Sequence, residues 1–216
     1  DRIQWAENKV QCLILAPTRE LANQIREECE RLGKYKRIKS VALIGKQPMA
    51  FQMQDLHQKC HVAVGTPGRV LEHLHQGSLC VERLSYVVLD EADEMLQMGF
   101  RDTLEQILTC LPEQAQYCLC SATMSKEIEE WCHTYFPDLV KIKGQDAMTP
   151  SALTFEAYVI EEEEKDAFLW KLLIKKACAS AIIFCNTRAM CEHVYRVCQQ
   201  HTDAVGRYHG AMDQKE

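Results

Sequence analysis

The sequence predicts an α/β protein built on a doubly wound parallel sheet. Short apolar runs typical of strands alternate with segments whose apolar residues recur at helical spacing, and this alternation favours parallel strands joined by helices. One apolar run, at residues 86–89, also ends abruptly in three acidic residues. A strand buried on both faces cannot carry unpaired carboxylates along its length, so these acids are expected at its carboxyl tip.

The strands are expected where β-branched and other apolar residues cluster in short runs. These runs are residues 12–16, 41–44, 62–64, 86–89 and 117–120. The first helix is expected between the first two strands, with Thr18 as its cap and Gly33 as its end. Helical spacing relates Leu21, Ile25, Cys29 and Leu32. A second helical face, before Pro112, contains Leu104, Ile107, Leu108 and Leu111.

A polar stretch containing Gly and Pro predicts a linker at residues 144–151, between a first domain at 1–143 and a second at 152–216. The second domain begins a new series, with strands expected at 155–160 and 181–185 and helices at 165–176 and near 190–197. A complete sheet of this kind needs more strands than residues 152–216 supply. We therefore expect the second domain to be incomplete.

Composition indicates a globular protein that does not cross a membrane. The chain has 216 residues, 47% hydrophobic and 26% charged, with a formal net charge of −6. No run reaches the roughly 18 apolar residues that a membrane span requires. Because the chain opens at Asp1 with neither a signal peptide nor an initiator methionine, we expect it to belong to a longer protein.

The 12 cysteines are interpreted as reduced thiols in a cytoplasmic protein, since most fall in expected strands or helices. Zinc binding is the alternative, but no Cys-x-x-Cys pair is present. The basic residues Lys34, Lys36, Arg37 and Lys39 form one dense cluster, which is interpreted as a solvated loop rather than an RNA contact.

The acids after the fourth strand indicate nucleotide hydrolysis. Ligands bind at the carboxyl ends of strands in open α/β sheets. There, Asp90 is expected to hold Mg²⁺, largely through water, and Glu91 to orient water against a phosphate. The alternative is an acid-rich helix start that is stabilised by the helix dipole.

Six short motifs in a fixed order add to this interpretation. They are residues 17–21, 66–69, 90–93, 121–123 and 182–187, and His209 with Gly210. With this order the chain resembles the DEAD-box RNA helicases, and is most similar to their bacterial DbpA/YxiN branch. The resemblance implies a RecA-like first domain, truncated at its amino end, followed by the start of a second RecA-like domain. It also implies ATP and Mg²⁺ as cofactors and RNA as partner.

The resemblance assigns Asp93 to a relay with Ser121 or Thr123, which couples the nucleotide state to RNA. The alternative for both hydroxyls is capping of the helix that begins near Ser125. Together with Asp90 and Glu91, these residues are the catalytic candidates.

Arg19 and Arg69 follow apolar strands closely, so both are expected at the ligand edge of the sheet, where guanidinium groups suit phosphate oxygens. The alternative for each is a surface Arg paired with a nearby Glu. By resemblance, further RNA-binding residues are Pro17, Thr18, Gly45, Thr66, Pro67, Gly68, Asn186, Thr187, Arg188, His209 and Gly210. The chain departs from the family at Lys46, where a second glycine is common.

The resemblance therefore implies an ATP-dependent RNA helicase whose contacts are mainly with the RNA backbone. We expect a monomer, and ribosomal RNA in ribosome assembly as a target. The rival functions are an RNA-clamping scaffold with little turnover and a DNA-directed helicase. Because the family's phosphate loop and arginine fingers fall outside these residues, we expect the 216-residue chain alone to be inactive.

Overall fold

A computed structural model describes residues 3–4, 6–142, 154–176 and 180–212. The chain divides into two compact units, Asp1–Ile142 and Lys143–Glu216. The linker expected at 144–151 lies outside the described residues. Each unit is described separately below.

The first unit contains a five-stranded sheet in which every pairing is parallel. The strand order is β2-β3-β1-β4-β5. The strands are β1 (Cys12–Leu15), β2 (Ser40–Leu43), β3 (Val62–Gly65), β4 (Tyr86–Leu89) and β5 (Gln116–Leu119). Each lies within one residue of its predicted run. The predicted fold class, a doubly wound parallel sheet, is confirmed.

Helices connect these strands and cover both faces of the sheet. They are α1 (Arg19–Gly33), α2 (Met49–His57), α3 (Pro67–His75), α4 (Ala92–Gln97), α5 (Arg101–Cys110) and α6 (Lys126–Tyr135). The hydroxyl of Thr18 accepts a hydrogen bond from the Leu21 amide and so caps α1, as predicted. Helix α1 packs against β2 and β3, whereas α3 packs against α5.

Alternation along the strands divides the apolar residues between two cores. Leu13, Leu15, Val87 and Leu89 are fully buried with residues of α3, α5 and α6. On the other face, Val62 and Val64 pack with Ala16 and with the apolar side of α1. Because both faces are covered, β3 is buried along its whole length. This burial makes the sheet a rigid platform for whatever follows its strands.

The described residues of the second unit form two α-helices, α7 (Lys165–Lys175) and α8 (Arg188–Gln199), as predicted. The strands expected at 155–160 and 181–185 are absent from the described residues of this unit, which form no strand pairing there. A strand requires a neighbour to accept and donate its backbone hydrogen bonds. The side chains of these segments accordingly stand in solvent: Ile182 is 84% exposed and Phe184 is 93% exposed.

The cysteines in the described part of the chain are all free thiols. Burial raises the pKa of Cys12 and of Cys60 to about 12, so these two behave as apolar side chains. No helix within the described ranges has the length and apolar character needed to span a bilayer.

Candidate functional site

The five strands of the first unit end level with one another. The pairings align the last residues of neighbouring strands: Leu43 with Gly65, Gly65 with Leu15, Leu15 with Leu89, and Leu89 with Leu119. The segments that follow them therefore emerge along one edge of the sheet, as predicted from the parallel arrangement. Five candidate segments of the first unit, beginning at Ala16, Ile44, Thr66, Asp90 and Cys120, share this edge.

Asp90 and Glu91 occupy the tip of β4. The Asp90 amide donates to the Leu15 carbonyl at 2.9 Å, which extends the sheet by one residue. Asp90 is half-buried, and its Oδ1 accepts a hydrogen bond of 3.1 Å from the Glu91 amide. Glu91 is exposed and has a left-handed backbone, with φ of 51° and ψ of 51°. Such a conformation costs an L-residue about 1–2 kcal/mol, so its surroundings must hold it in place.

The oxygen atoms of these two acids suit a hydrated Mg²⁺ ion. Hard carboxylate oxygens are the ligands that this ion prefers, and it keeps several waters. Asp90 retains a solvent-accessible carboxylate at the sheet edge, with a second exposed carboxylate on the next residue. The pair therefore fits the ion expected from the sequence.

Asp93, in the first turn of α4, is buried and is hydrogen-bonded to the segment that follows the neighbouring strand, β5. Its Oδ2 accepts a hydrogen bond from the Thr123 hydroxyl at 2.7 Å and another from the Thr123 amide at 3.0 Å. Burial opposes ionisation, but these bonds, with others from Ser121 and the Glu94 amide, hold the pKa of Asp93 below its usual value. Asp93 is thus an ionised carboxylate that joins β4 to the segment after β5.

The capping alternative for Ser121 and Thr123 does not describe the structure. The Ser121 hydroxyl donates to the Thr123 carbonyl at 2.5 Å, and the Thr123 hydroxyl is committed to Asp93. Ser125 itself caps α6, since its hydroxyl accepts from the Ile128 amide. The predicted contact between Asp93 and this segment is present, through Thr123.

A groove of about 320 Å³ lies beside β1 and β3. Arg19 contributes to it and has no ion-pair partner among the described residues. Sequence reasoning missed Met98 and Phe100, which flank Gly99 at φ of 82°. A glycine just after a helical pattern was the available signal, because it ends α4 and turns the chain back towards the groove. The groove is lined by Pro17, Thr18, Arg19, Glu20, Thr66, Met98 and Phe100.

Arg69 is half-buried, and its Nε and Nη1 atoms bond groups of the first unit. Its guanidinium donates to Glu72 at 2.8 Å, to the Gln47 carbonyl at 2.9 Å and to the Gln52 side chain at 3.1 Å. The alternative of an Arg paired with a nearby Glu is therefore present, although the guanidinium also reaches two further groups. Its phosphate contact stays a prediction.

The turn after β3, at residues 66–68, and the turn after β2, at residues 45–46, differ in the groups that a ligand could contact. Thr66 precedes α3, and its side chain makes no capping hydrogen bond, so the hydroxyl is available at the groove. Pro67 opens α3, where its missing N–H leaves no donor unsatisfied. No atom of the described residues lies within 4 Å of where a Cβ would stand on Gly45 or Gly68, so a ligand could approach the backbone there. Lys46 has φ of 63°, the conformation that a glycine would adopt without strain.

The candidates of the second unit surround a cleft of their own. It has a volume of about 290 Å³ and is lined in part by Asn186, Thr187, Arg188 and His209. The Thr187 hydroxyl accepts from the Met190 amide and so caps α8. His209 bonds Glu192 at 2.8 Å, and this bond is the main cause that lowers the pKa of the Glu192 carboxyl. A Cβ on Gly210 would approach the Arg188 guanidinium to 3.7 Å.

Comparison with known proteins gives one consistent result. The family described as "DEAD/DEAH box helicase" matches residues 1–131. The chain is 41% identical to the ATP-dependent RNA helicase DbpA of Bacillus subtilis, over 98% of the chain and 44% of that protein. It is 36% identical to the DEAD-box ATP-dependent RNA helicase CshA of Geobacillus kaustophilus, over 99% of the chain and 46% of that protein. The chain thus spans about half the length of these relatives.

Solved structures agree with the sequence relatives. A DEAD box protein from Methanococcus jannaschii matches with a TM-score of 0.63 and 33% identity, over 97% of this chain and 56% of that one. Dbp5 of S. cerevisiae, bound to RNA and ADP BeF3, matches with a TM-score of 0.83 and 26% identity, over 99% and 55% respectively. The predicted RecA-like character of the sheet is therefore confirmed. The chain belongs to the DEAD/DEAH box helicase family.

Proposed function

We propose that the full-length protein is an ATP-dependent RNA helicase, which hydrolyses ATP when its lobes close on RNA. One observation carries the proposal. Asp93, beside the candidate hydrolytic acids, is hydrogen-bonded to Thr123 on the neighbouring strand's segment, and the same edge of the sheet holds the groove around Arg19. The family and the names of the relatives support ATP and RNA as its substrates.

The hydrolytic roles follow from where each acid lies. Asp90 would hold Mg²⁺ largely through water, and the bound ion would neutralise phosphate charge. Glu91 is exposed, and its side chain makes no capping hydrogen bond to α4. Its carboxylate would therefore accept a hydrogen bond from the attacking water and orient it. Asp93 is already bonded to Thr123 and would act as the relay, with Ser121 holding the same segment.

The RNA would lie along the edge of the sheet, mainly through its backbone. Arg19 supplies a guanidinium with no ion-pair partner in the part of the chain that the structure describes, and the amino end of α3 supplies backbone N–H groups beside Gly68. Contacts of this kind carry little sequence information. The proposed track comprises Pro17, Thr18, Arg19, Gly45, Thr66, Pro67, Gly68 and Arg69, with Asn186, Thr187, Arg188, His209 and Gly210 from the second unit.

The biological setting is proposed on the same basis. We assign residues 1–143 to a first RecA-like domain, 144–151 to a linker and 152–216 to the start of a second. Resemblance to the DbpA/YxiN branch supports ribosomal RNA during ribosome assembly as the target. The free thiols suit a cytoplasmic protein. We propose that it acts as a monomer.

The test is Glu91→Gln in the full-length protein. The amide keeps the shape of the side chain but removes the charge, so steady-state phosphate release should fall by at least about 100-fold while ATP still binds. Glu94→Gln on the same helix is the control and should retain activity. Normal turnover by Glu91→Gln would remove Glu91 from its role.

Two further measurements on the wild-type protein test the rival functions. ATP-dependent retention on RNA without steady phosphate release in the wild type would identify a clamping scaffold. If RNA and DNA of one sequence stimulated phosphate release from ATP equally, the proposed selectivity for RNA would be contradicted. The 216-residue chain alone should release no phosphate.

A further inference from the structure

A polar cluster lies behind the proposed RNA edge, and its centre is Gln52 of α2. Gln52 is only 2% exposed. Its Nε2 donates to the Ile44 carbonyl at 2.8 Å, and its Oε1 accepts from Arg69 at 3.1 Å and from His73 at 3.0 Å. A carbonyl oxygen has two acceptor positions, so both are occupied. A buried amide with this many partners fixes the groups around it.

The partners determine each other's orientation. The Ile44 carbonyl can only accept and the Arg69 guanidinium can only donate, so the Gln52 amide has one possible orientation. Its oxygen must then accept a hydrogen bond from the protonated Nε2 of His73. In the neutral ring His73 Nδ1 is then an acceptor, and the Ser78 hydroxyl, 2.7 Å away, donates to it in preference to the His73 carbonyl at 3.2 Å. Burial, with the nearby Arg69 charge, lowers the pKa of His73 and favours this neutral form.

The cluster joins two turns that come from different strands. Ile44 and Gln47 lie in the turn after β2, which includes Gly45 and Lys46. Arg69 lies in the first turn of α3, after β3. Gln52 bonds both turns, and Arg69 also bonds the Gln47 carbonyl directly. The backbone groups of the two turns are consequently held at a fixed separation.

We propose that Gln52 is a positioning residue for RNA, and that the Arg69 guanidinium is its brace, so that Arg69 borders the RNA track through its backbone N–H in the first turn of α3 rather than through a side-chain contact with phosphate. The cluster aligns the turn around Gly45 with the turn around Gly68, so that one RNA backbone can contact both. The inference rests on the proposed RNA-binding function. It differs from that function in assigning the Arg69 guanidinium to the protein's interior.

The experiment compares Gln52→Met with Gln11→Met in the full-length protein. Methionine keeps the length of the side chain but removes the amide. Gln11 is the matched control, because it is also a buried glutamine, 4% exposed, bonded to the Gln4 amide at 2.7 Å. It lies at the opposite edge of the sheet, before β1. The binding of a single-stranded RNA oligonucleotide is measured over a series of salt concentrations, together with ATP binding without RNA.

Gln52→Met should weaken RNA binding about tenfold and leave ATP binding unchanged. In RNA-stimulated ATP hydrolysis, it should raise the KM for RNA more than it lowers kcat. The slope of log Kd against log salt should stay as in the wild type, because no phosphate contact is removed. Arg69→Gln should weaken binding similarly with an unchanged slope. The two changes combined should cost little more than either alone.

Three results would overturn the inference while leaving the proposed function intact. They are wild-type RNA affinity in Gln52→Met, an equal loss of affinity in Gln11→Met, and a slope reduced by about one phosphate contact in Arg69→Gln. Failure of the wild type to bind RNA would overturn the proposed function and this inference together.

Discussion

The hydrogen bond between Thr123 and Asp93 allows a quantitative test of the link between two strands. Thr123→Val replaces the hydroxyl by a methyl group of similar size, so the Asp93 carboxylate loses its 2.7 Å donor but keeps the Thr123 amide at 3.0 Å. A hydrogen bond to a buried charged group contributes about 1.5–3 kcal/mol. Since one bond of the pair survives and Thr123 is exposed, we expect a loss of about 1.5 kcal/mol in the free energy of unfolding at neutral pH.

The pH dependence distinguishes this bond from general damage. The folded state lowers the pKa of Asp93 from 3.8, so the stability it contributes is present above that value. This contribution is lost as the pH falls through the lower pKa of the folded state. The difference between wild type and Thr123→Val should therefore shrink in strong acid.

Urea unfolding followed by circular dichroism, at about pH 7 and about pH 3, measures both quantities. Thr109→Val is the control, since its exposed hydroxyl bonds only the Gln106 carbonyl of its own helix. A loss no larger than in the control, or one that is independent of pH, would refute the assignment.

Three other predictions concern single side chains. Arg19→Ala should weaken RNA binding equally across sequences and reduce the salt slope by about one phosphate contact, which titration at several salt concentrations measures; a loss limited to one sequence would contradict it. Lys46→Gly should raise the free energy of unfolding by up to about 1 kcal/mol, because Lys46 has a left-handed backbone, with φ of 63°, that glycine adopts without strain. Thermal unfolding measures this change, and a lower stability in Lys46→Gly would contradict backbone strain at this position. His73 has a pKa lowered from 6.5, so the wild type should lose stability as the pH falls below that value; His73→Gln should flatten this part of the profile, and an unchanged profile would exclude His73.

The sequence predicted the first sheet accurately because its signals are local. Each strand is a compact apolar run, and the polar motifs come directly after the runs, so parallel pairing alone brings them to one edge. The contact between Asp93 and Thr123 was expected from the family resemblance, and the parallel pairing of β4 with β5 brings the two segments together.

Other features depend on partners that no local pattern reveals. A glutamine within a predicted helix is usually a surface residue, so no pattern in the sequence indicated that Gln52 is buried. The partners of Arg69 were hidden for the same reason. The strands expected around residues 155–160 and 181–185 were wrong because apolar, β-favouring residues form a strand only where another strand is available for pairing.

The level ends of the five strands determine where the first unit can change in length. Adding one residue inside a strand would turn its side chains to the opposite face and advance the following motif by about 3.3 Å relative to its neighbours. Insertions at the other edge of the sheet, for example at residues 34–39 or 111–115, leave that alignment intact. Chain length should therefore vary freely in the connections that enter the strands and be tightly restricted in those that leave them.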